Sequence, residues 1–397
     1  MRRCGNIISL AKPKSRSENC FLDRFFPCFS NKGSDQLTRN SDKSRTGGAT
    51  DMSLSLQRPP KLQEGDRVAT VSLSWGGAGD PEILWRYHQG KSRLEEQFGL
   101  EVVEMPHTLK GSDFVYLNPQ KRAEDLMQAF ADSSIKGIFA CIGGDDSVRM
   151  LPYIDFSVIR DNPKVFLGYS DTTITHLICL QAGLTSFYGP SVLAEFAENV
   201  AMHDYTAHWV NKVLFSSEVI GNVPPADGWT SEYLPWLEAN RGRTRKLLPN
   251  SGYELLQGSG VVQGRLIGGC LEVLEFAKQT ELWPSMDKWS GAILFLETSE
   301  DQPDPKFVEY WLRNYGSQGI LDIINGIIWG KPYDEQYYDE YKGAITKILA
   351  ELGLEELPVL YNMSFGHTAP MTILPYGALA EIDCDHCTFS VLESGVL

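Results

Sequence analysis

The sequence "LGYSDTTITH", residues 167–176, places a serine at a corner between an apolar run and a helix-like segment. The apolar run that reaches this corner, residues 165–167, is β-branched and aromatic enough to predict a short buried strand. Residues 171–173 have the polar composition of a helix start. Ser170 therefore lies where a strand turns into a helix, as in a nucleophile elbow, although the GxSxG spelling of that motif is absent. From the residues alone, an ordinary helix N-cap is the alternative, because serine and aspartate both favour that position.

Short strand-like runs alternate with helical patterns on both sides of this corner. The predicted order is strand 67–73, helix 83–98, strand 101–105, helix 121–132, strand 137–142, a short helix, strand 165–169, helix 172–182 and helix 205–215. Strands separated by helices need crossover connections, which give a mainly parallel sheet covered on both faces. The fold class is therefore α/β, and functional side chains belong at the carboxyl ends of the strands.

The chain divides into four predicted segments. They are a disordered leader at 1–60, an N-terminal mainly parallel α/β sandwich domain at 61–220, a linker and substrate loop at 221–255, and a C-terminal strand-rich α/β domain at 256–397. The leader is polar and lacks periodicity. A loop as long as the third segment is usually functional or disordered, and Trp229 and Trp236 favour a packed loop that faces a ligand. The alternative is that the two indoles only anchor the loop by burial.

Charge and apolar patterns exclude two classes of partner. A net charge of −15 and a pI near 5.0 argue against nucleic acid, because phosphate binding relies on clustered Lys and Arg. No run approaches the roughly 20 apolar residues that cross a bilayer, so no membrane span is predicted. The 8 cysteines are scattered along a long chain, which suits a reducing compartment and predicts a cytoplasmic location.

Cys384 and Cys387 form a CxxC pair near the C-terminus. No second Cys or His pair with zinc spacing accompanies it, which argues against a metal site. The pair lies in an alternating, strand-like run. A turn with two buried thiols is therefore the favoured interpretation.

The segment "CIGGDDS", residues 141–147, places two glycines between a strand and a helical pattern. Glycines at such a place let backbone N–H groups point into a crevice, where negative charge is favoured. The GxGxxG spacing of a dinucleotide site is absent, so binding of a nucleotide cofactor is only weakly indicated. An oxyanion hole uses the same geometry.

A candidate base and its orienting acid lie in the second half of the chain. His367, in "NMSFGHTAPM", lies in a loop framed by glycine and proline, and an imidazole titrates near neutrality as a general base requires. Glu297 ends the apolar run "GAILFLE", where a site residue of such a sheet is expected. The alternative is that Glu297, Glu300 and Asp301 only lead into the next helix. His176 lies beyond Ser170 on the same predicted helix and is expected to point away from it.

Five segments together resemble one known family. In this order, "IGGDDS", "GYSDTT", "GRLIGGCLEVLEF", "LFLETSED" and "FGHTAPM" are similar to the LD-carboxypeptidase family of serine peptidases, specifically its microcin C self-immunity branch. The resemblance covers roughly residues 62–395. It implies that Ser170 is the nucleophile, that His367 is the base and that Glu297 orients it. It also implies an active site in an interdomain cleft, with Gly144 and Asp171 as backbone oxyanion donors.

The resemblance implies a serine carboxypeptidase or amidase that works without a metal or cofactor and is a homodimer. The implied substrate is a small peptide or a peptidyl- or aminoacyl-nucleotide, with Gly143, Trp229 and Trp236 assigned to substrate binding. A muropeptide LD-carboxypeptidase is one alternative. A second is a non-catalytic protein that binds a peptidyl-nucleotide, and a third is a dinucleotide-dependent enzyme that uses the glycines of residues 141–147.

Overall fold

The computed structural model describes residues 54–397, which form sixteen strands. In chain order they are β1 (Arg67–Val71), β2 (Glu101–Glu104), β3 (Ile135–Ala140), β4 (Val165–Gly168), β5 (Phe187–Tyr188), β6 (Gly221–Asn222), β7 (Gly228–Trp229), β8 (Leu248–Pro249), β9 (Glu254–Gln257), β10 (Val261–Cys270), β11 (Ile293–Glu297), β12 (Gly326–Gly330), β13 (Val359–Met363), β14 (Leu374–Pro375), β15 (Leu379–Asp383) and β16 (Thr388–Val391).

Eleven α-helices connect and cover these strands within the same residues. They are α1 (Leu84–Phe98), α2 (Ser112–Leu117), α3 (Pro119–Ala131), α4 (Phe156–Asp161), α5 (Thr173–Ala182), α6 (Asp204–Leu214), α7 (Leu271–Ala277), α8 (Met286–Trp289), α9 (Pro305–Ser317), α10 (Ile320–Ile323) and α11 (Tyr338–Glu351). The long helices agree with the 3.6-residue apolar pattern of the sequence. None of the helices in residues 54–397 has the length and apolar character that crossing a bilayer requires.

The first sheet has the strand order β14-β5-β4-β3-β1-β2. Its five N-terminal strands are mutually parallel, and only β14 runs antiparallel, against β5. All four residues of β4 are buried, as expected for a strand covered by helices on both faces. The prediction of a mainly parallel α/β sheet around the serine corner is confirmed.

The second sheet is larger and mixed, with the order β6-β16-β15-β10-β11-β12-β13-β9. Its central strands β10 to β13 are parallel, and the strands on both sides of them pair antiparallel. The prediction of a strand-rich second α/β part is therefore confirmed. Because β14 joins the first sheet, that sheet takes a strand from the C-terminal part of the chain, and β6 from the predicted linker joins the second sheet. The domain boundaries at 220 and 256 stay predictions.

The predicted disordered leader is too long at its C-terminal end. Most of it, residues 1–53, lies outside the described residues. From Leu54 onward, however, the chain is ordered: Leu54 is buried, and Gln57 N–H donates to the carbonyl of Gly183 at 2.8 Å. Pro59 in turn accepts a hydrogen bond from the Leu397 N–H at 2.9 Å. These residues are ordered because an apolar side chain and backbone hydrogen bonds attach them to the core, although their polar neighbours hide this in the sequence.

Candidate active site

Ser170 stands at the carboxyl end of β4, where the backbone turns sharply into a short 3-10 turn and then α5. Its φ angle is +64°, which is uncommon for a residue with a Cβ and costs free energy. A serine held in this conformation is what a nucleophile elbow requires, because the strained turn presents the hydroxyl above the sheet. The positive φ of Ser170 argues against an ordinary helix N-cap at this corner. The N-cap residue of the 3-10 turn, Tyr169, makes no side-chain capping hydrogen bond.

The three predicted triad residues lie together. His367 Nε2 is 3.0 Å from Ser170 Oγ, and His367 Nδ1 is 2.7 Å from Glu297 Oε2. Glu297 is fully buried at the carboxyl end of β11, and the imidazole of His367 is only 6% exposed. Both distances are hydrogen-bond distances, so a serine hydroxyl, an imidazole and a buried carboxylate are arranged in series, as a catalytic triad requires.

Gly366 lets the loop that carries His367 approach the end of β11. Its φ of +95° favours glycine, and a Cβ at this position would come 2.8 Å from Oε2 of Glu297. The backbone beside His367 therefore packs directly against the carboxylate. This close approach explains the glycine that the sequence places before the histidine.

The carboxylates around His367 favour its protonated form. Burial is the largest single influence on its pKa and disfavours the charged imidazolium, whereas the charge and hydrogen bond of Glu297 favour it. Glu300 and Glu272 add to this effect, and together they raise the pKa of His367 to about 9. Glu300 is the nearer of the two: its Oε2 lies 3.1 Å from His367 Nε2, and its side chain is 61% exposed.

Tyr188 belongs to this cluster and was not predicted from the sequence. Its hydroxyl donates to Glu297 Oε1 at 2.5 Å and accepts from the backbone N–H of Ser170 at 3.2 Å. The Tyr188 phenol therefore connects the backbone of Ser170 to Glu297 and leaves the other carboxylate oxygen for His367. The signal is positional: Tyr188 ends β5, which pairs in parallel with β4 at Gly168, so the two carboxyl ends meet at one edge.

The glycine segment of residues 141–147 packs against the serine corner. A Cβ on Gly143 would come 2.6 Å from the Cβ of Ser170, so the backbone of the glycine segment lies directly against Ser170. Asp171 is fully buried and accepts a hydrogen bond from the Ser147 N–H at 2.8 Å, which connects the segment to the corner. Gly144 lines the same cavity as Ser170. This placement suits an oxyanion hole formed by the N–H groups of Gly144 and Asp171, a role that stays a prediction.

A cavity of about 400 Å³ opens in front of Ser170. Its wall combines aromatic and charged side chains with the glycine segment: Trp75, Arg86, Gly143, Gly144, Tyr169, Glu195, Glu198, Glu232, Tyr233, Trp236, Arg245, Glu300, Tyr333 and His367 are among the lining residues. The rings of Trp75 and Trp236 stack with centroids 6.1 Å apart at an angle of 28°. The guanidinium of Arg86 lies 4.7 Å from the Trp236 ring centroid. The cavity therefore has an aromatic wall on one side.

The two tryptophans predicted to bind substrate differ in position. Trp236 is half-buried and lines the cavity, as expected for a ligand-facing residue. Trp229 does not reach the cavity, because its indole is 95% buried and packs under the ammonium of Lys331, 4.4 Å from the ring centroid. The prediction that Trp229 faces the ligand is therefore corrected to a packing role for that residue. Trp75, which the sequence did not single out, stands beside Trp236 instead.

His176 is not positioned as a base. It is fully buried, its Nδ1 lies 2.8 Å from Ser186 Oγ, and its Nε2 lies 2.8 Å from the carbonyl oxygen of Gly168. Burial lowers its pKa to about 3, so the imidazole is neutral and supports the end of β4.

The CxxC pair lies in the turn between β15 and β16. Cys384 is buried, Cys387 is half-buried, and both thiols are free. Across residues 54–397, no group of three or more His, Cys, Asp or Glu side chains is placed to hold a metal ion.

Comparison with known proteins agrees with this architecture. A family model described as the LD-carboxypeptidase N-terminal domain matches residues 68–189, and one for the LD-carboxypeptidase C-terminal domain matches residues 263–382. The chain belongs to the LD-carboxypeptidase family. The first match contains Ser170 and the second contains Glu297 and His367, so the two family domains each supply part of the cluster described above.

Relatives and solved structures specify the branch. The chain is 31% identical over 313 residues to the microcin C7 self-immunity protein MccF of Escherichia coli, covering 78% of this chain and 88% of that protein. A MccF-like protein from Streptococcus pneumoniae, solved in complex with AMP, is 35% identical with a TM-score of 0.76, covering 82% of this chain and 98% of that one. MccF in complex with aspartyl sulfamoyl adenosine is 28% identical with a TM-score of 0.75, covering 86% and 100%.

The Tyr188→Phe variant of this LD-carboxypeptidase family member tests whether the hydrogen bond from the Tyr188 hydroxyl to Glu297 supports the arrangement of Ser170, His367 and Glu297. We expect kcat/KM to fall roughly 10- to 100-fold, because a hydrogen bond to a charged group contributes about 1.5–3 kcal/mol. The measurement is steady-state kinetics with a hydrolysable aminoacyl-nucleotide analogue. Tyr376→Phe is a matched control, since its buried hydroxyl bonds the carbonyl of Gly268 and does not touch Glu297. Equal losses in both variants would contradict a specific role for Tyr188.

Proposed function

We propose that this protein is a serine carboxypeptidase or amidase that cleaves an amide bond in an aminoacyl- or peptidyl-nucleotide through a Ser170–His367–Glu297 triad. The observation that carries the proposal is the pair of contacts at His367: 3.0 Å from Nε2 to Ser170 Oγ and 2.7 Å from Nδ1 to Glu297 Oε2. A non-catalytic binding protein does not need a strained serine in contact with a buried histidine and acid.

The reaction follows from these contacts. Neutral His367 accepts the proton of the Ser170 hydroxyl at Nε2 while Oγ attacks the carbonyl carbon. The C–N bond then breaks, the leaving nitrogen takes the proton from His367, and the acyl group stays on Ser170. Water repeats the sequence: it gives a proton to His367 and its oxygen to the acyl group, and Ser170 regains the proton as the acid leaves.

The negative charge on the carbonyl oxygen needs donors at each addition step. We assign them to the backbone N–H groups of Gly144 and Asp171, since the glycine segment is packed against Ser170. Backbone donors fixed by a buried hydrogen bond do not have to reorganise during the reaction. Loss of one such donor typically costs on the order of a hundredfold or more in rate.

The cavity supports a nucleotide-bearing substrate. Its aromatic wall, formed by Trp75 and Trp236, is suited to stacking on a base, a contact that contributes about 1–3 kcal/mol in single-strand binders. The structures of similar proteins in complex with AMP and with aspartyl sulfamoyl adenosine agree with this choice. A muropeptide has no aromatic base to place against this wall, so the nucleotide substrate is preferred.

Mass spectrometry of reaction products tests the proposal. Wild-type protein is incubated separately with aspartyl sulfamoyl adenosine and with a muropeptide tetrapeptide. We expect release of aspartate and sulfamoyl adenosine from the first and little change in the second. If only the tetrapeptide is cleaved, with loss of its terminal D-amino acid, the protein is a muropeptide LD-carboxypeptidase. Tight binding of the adenosine compound without any product would identify a non-catalytic binding protein.

The pH dependence tests the protonation state of His367. Only the neutral imidazole can accept the Ser170 proton, and the pKa of His367 is raised to about 9 in the free protein. We therefore expect kcat/KM to rise with pH through the neutral range and to level off only as pH exceeds about 9. The measurement is a pH–rate profile under conditions of low substrate, with stability checked at each pH. A profile already flat from pH 6.5, the ordinary value for histidine, would contradict the raised pKa.

A further inference from the structure

We propose that Glu300 is a carboxylate gate that recognises a free α-ammonium group on the substrate and, by turning toward it, releases His367 to act as the base. This inference rests on the proposed function and deepens it, because it selects among aminoacyl substrates. Glu300 is assigned here as a positioning and specificity residue that acts through His367.

Glu300 and Ser170 compete for the same imidazole nitrogen. Glu300 Oε2 lies 3.1 Å from His367 Nε2, and Ser170 Oγ lies 3.0 Å from the same atom. The opposite nitrogen, Nδ1, donates its hydrogen to Glu297 at 2.7 Å. A carboxylate next to Nε2 is attractive only when Nε2 also carries a hydrogen. The contact with Glu300 therefore belongs to the imidazolium form, which cannot accept the serine proton.

The groups facing His367 come from several elements, and most of the charged ones are acids. Glu297 ends β11, Glu300 follows it, and Glu272 lies on α7. The ring of Tyr169 lies 5.1 Å from the imidazole, with Tyr188 behind Glu297 and Tyr333 across the cavity near Glu300. Of the three acids, Glu297 is fully buried and Glu272 is held by Ser299. Glu300 is the acid with room to move, since its side chain is 61% exposed.

Glu300 has no alternative cationic partner to His367 within the described part of the chain. Among residues 54–397, His367 is its only ion-pair partner within 4.0 Å. The two arginines of the cavity wall are engaged elsewhere: Arg245 pairs with Glu198, and Arg86 donates to the carbonyl of Leu193 at 2.6 Å and to Asn199 at 2.8 Å. A cation that draws Glu300 away from His367 must therefore arrive with the substrate.

The position of the gate indicates which cation this is. The scissile carbonyl carbon must sit next to Ser170 Oγ, and the α-nitrogen of an aminoacyl group lies roughly 2.5 Å from that carbon. An unblocked α-ammonium therefore enters the space between Ser170 and the exposed Glu300 carboxylate. When the ammonium pairs with Glu300, the carboxylate leaves Nε2, and the imidazole loses a group that favours its charged form.

The gate distinguishes two classes of substrate. An aminoacyl-nucleotide has a free α-ammonium beside the scissile carbonyl. In an L,D-linked muropeptide, or in an aminoacyl group acylated by a further residue, the corresponding nitrogen is an uncharged amide. The structure thus favours substrates in which a single unblocked amino acid is attached to the leaving group.

The test compares aspartyl sulfamoyl adenosine with its Nα-acetyl derivative. We expect the wild-type protein to prefer the free amine in kcat/KM by roughly 10- to 100-fold, as for a hydrogen bond to a charged group. Glu300→Gln is expected to abolish this preference and to move the acid limb of its pH profile to lower pH, because it removes one carboxylate from His367. The control is Asp301→Asn, which removes the adjacent exposed acid and is expected to keep both the preference and the pH profile.

The outcomes separate this proposal from the proposed function. Equal rates on the two compounds in wild-type protein, or a preference that persists in Glu300→Gln, would overturn the gate while leaving the hydrolase intact. If Glu300→Gln only damages the structure, the rates on both compounds fall by the same factor and the preference for the free amine persists. That result would also contradict the gate. If wild-type protein hydrolyses neither compound, calorimetric titration of the Ser170→Ala variant still tests the gate. Tighter binding of the free amine than of the acetylated compound supports it, provided that the difference is lost when Glu300→Gln is added to Ser170→Ala. Equal binding of the two compounds refutes it.

Discussion

Ser170→Ala is expected to lower kcat by on the order of 10⁴-fold or more, while the affinity for aspartyl sulfamoyl adenosine changes little. The methyl group of alanine cannot attack the carbonyl, and His367 then has no hydroxyl proton to accept. The cavity wall and the glycine segment stay in place, so ligand binding is retained. The measurements are single-turnover hydrolysis and calorimetric titration with the same compound.

A fluorophosphonate probe gives an independent measure of the same serine. We expect wild-type protein to be labelled at Ser170 and the Ser170→Ala variant to be unlabelled. Ser285→Ala is the control, because Ser285 is exposed before α8 and does not line the cavity, so its labelling should equal that of wild-type protein. Full labelling of Ser170→Ala would mean that the nucleophile is another residue.

The sequence predicts the triad because each member stands at a place where regular structure ends. Ser170 follows an apolar strand, Glu297 ends another, and His367 lies between glycine and proline. In a parallel sheet, side chains at strand ends collect at one edge, which makes these residues candidates, and the resemblance to the family then assigns their roles. What the sequence pattern lacks is proof of convergence, which depends on how the two sheets are packed.

Tyr188 and Trp75 were missed because their roles depend on register and not on residue type. Tyr188 reaches Glu297 since β5 pairs with β4 at Gly168, a pairing that no local pattern specifies. Trp75 meets Trp236 across 161 positions of sequence, through a long-range contact of two loops. Conversely, Trp229 and Trp236 occupy the same Pro-rich stretch, and its sequence does not distinguish the buried indole from the half-buried one.

The ordered residues just before position 61 show a different limit of sequence patterns. Residues 52–57 alternate apolar and polar side chains, but this run is short and follows a long polar segment, so the sequence analysis assigns buried Leu54 to the leader. It is fixed by tertiary contact, and the neighbouring backbone adds a single parallel bridge between Gln57 and Leu184. Edge additions of this kind depend on the finished fold, so a short alternating run does not by itself show where it attaches.

Glu297→Gln is expected to lower the plateau of kcat by about 10³- to 10⁴-fold, even though it changes a single atom. Glu297 is fully buried and accepts two hydrogen bonds, from Tyr188 at Oε1 and from His367 Nδ1 at Oε2. An amide can accept at only one of these positions. If its NH2 group faces His367, Nδ1 must accept, Nε2 carries the hydrogen, and the imidazole cannot take the serine proton.

The opposite orientation of the amide is also defective. Its NH2 group then faces the Tyr188 hydroxyl, which already accepts from the Ser170 N–H at 3.2 Å and loses the carboxylate to which it donated. The support of the Ser170 backbone is therefore weakened in this second orientation. In both orientations His367 loses the charge that stabilises its imidazolium during the reaction.

The pH profile separates the two glutamates. Because Glu297 and Glu300 both raise the pKa of His367, removal of either charge should move the acid limb to lower pH. Only Glu297→Gln should also lose the plateau, since Glu297 fixes the tautomer and Glu300 does not. The measurements are kcat/KM against pH for the acid limb and kcat at the plateau, for the two variants and wild-type protein, with far-UV circular dichroism to verify folding. A Glu297→Gln plateau within tenfold of wild-type would show that this carboxylate does not orient the base.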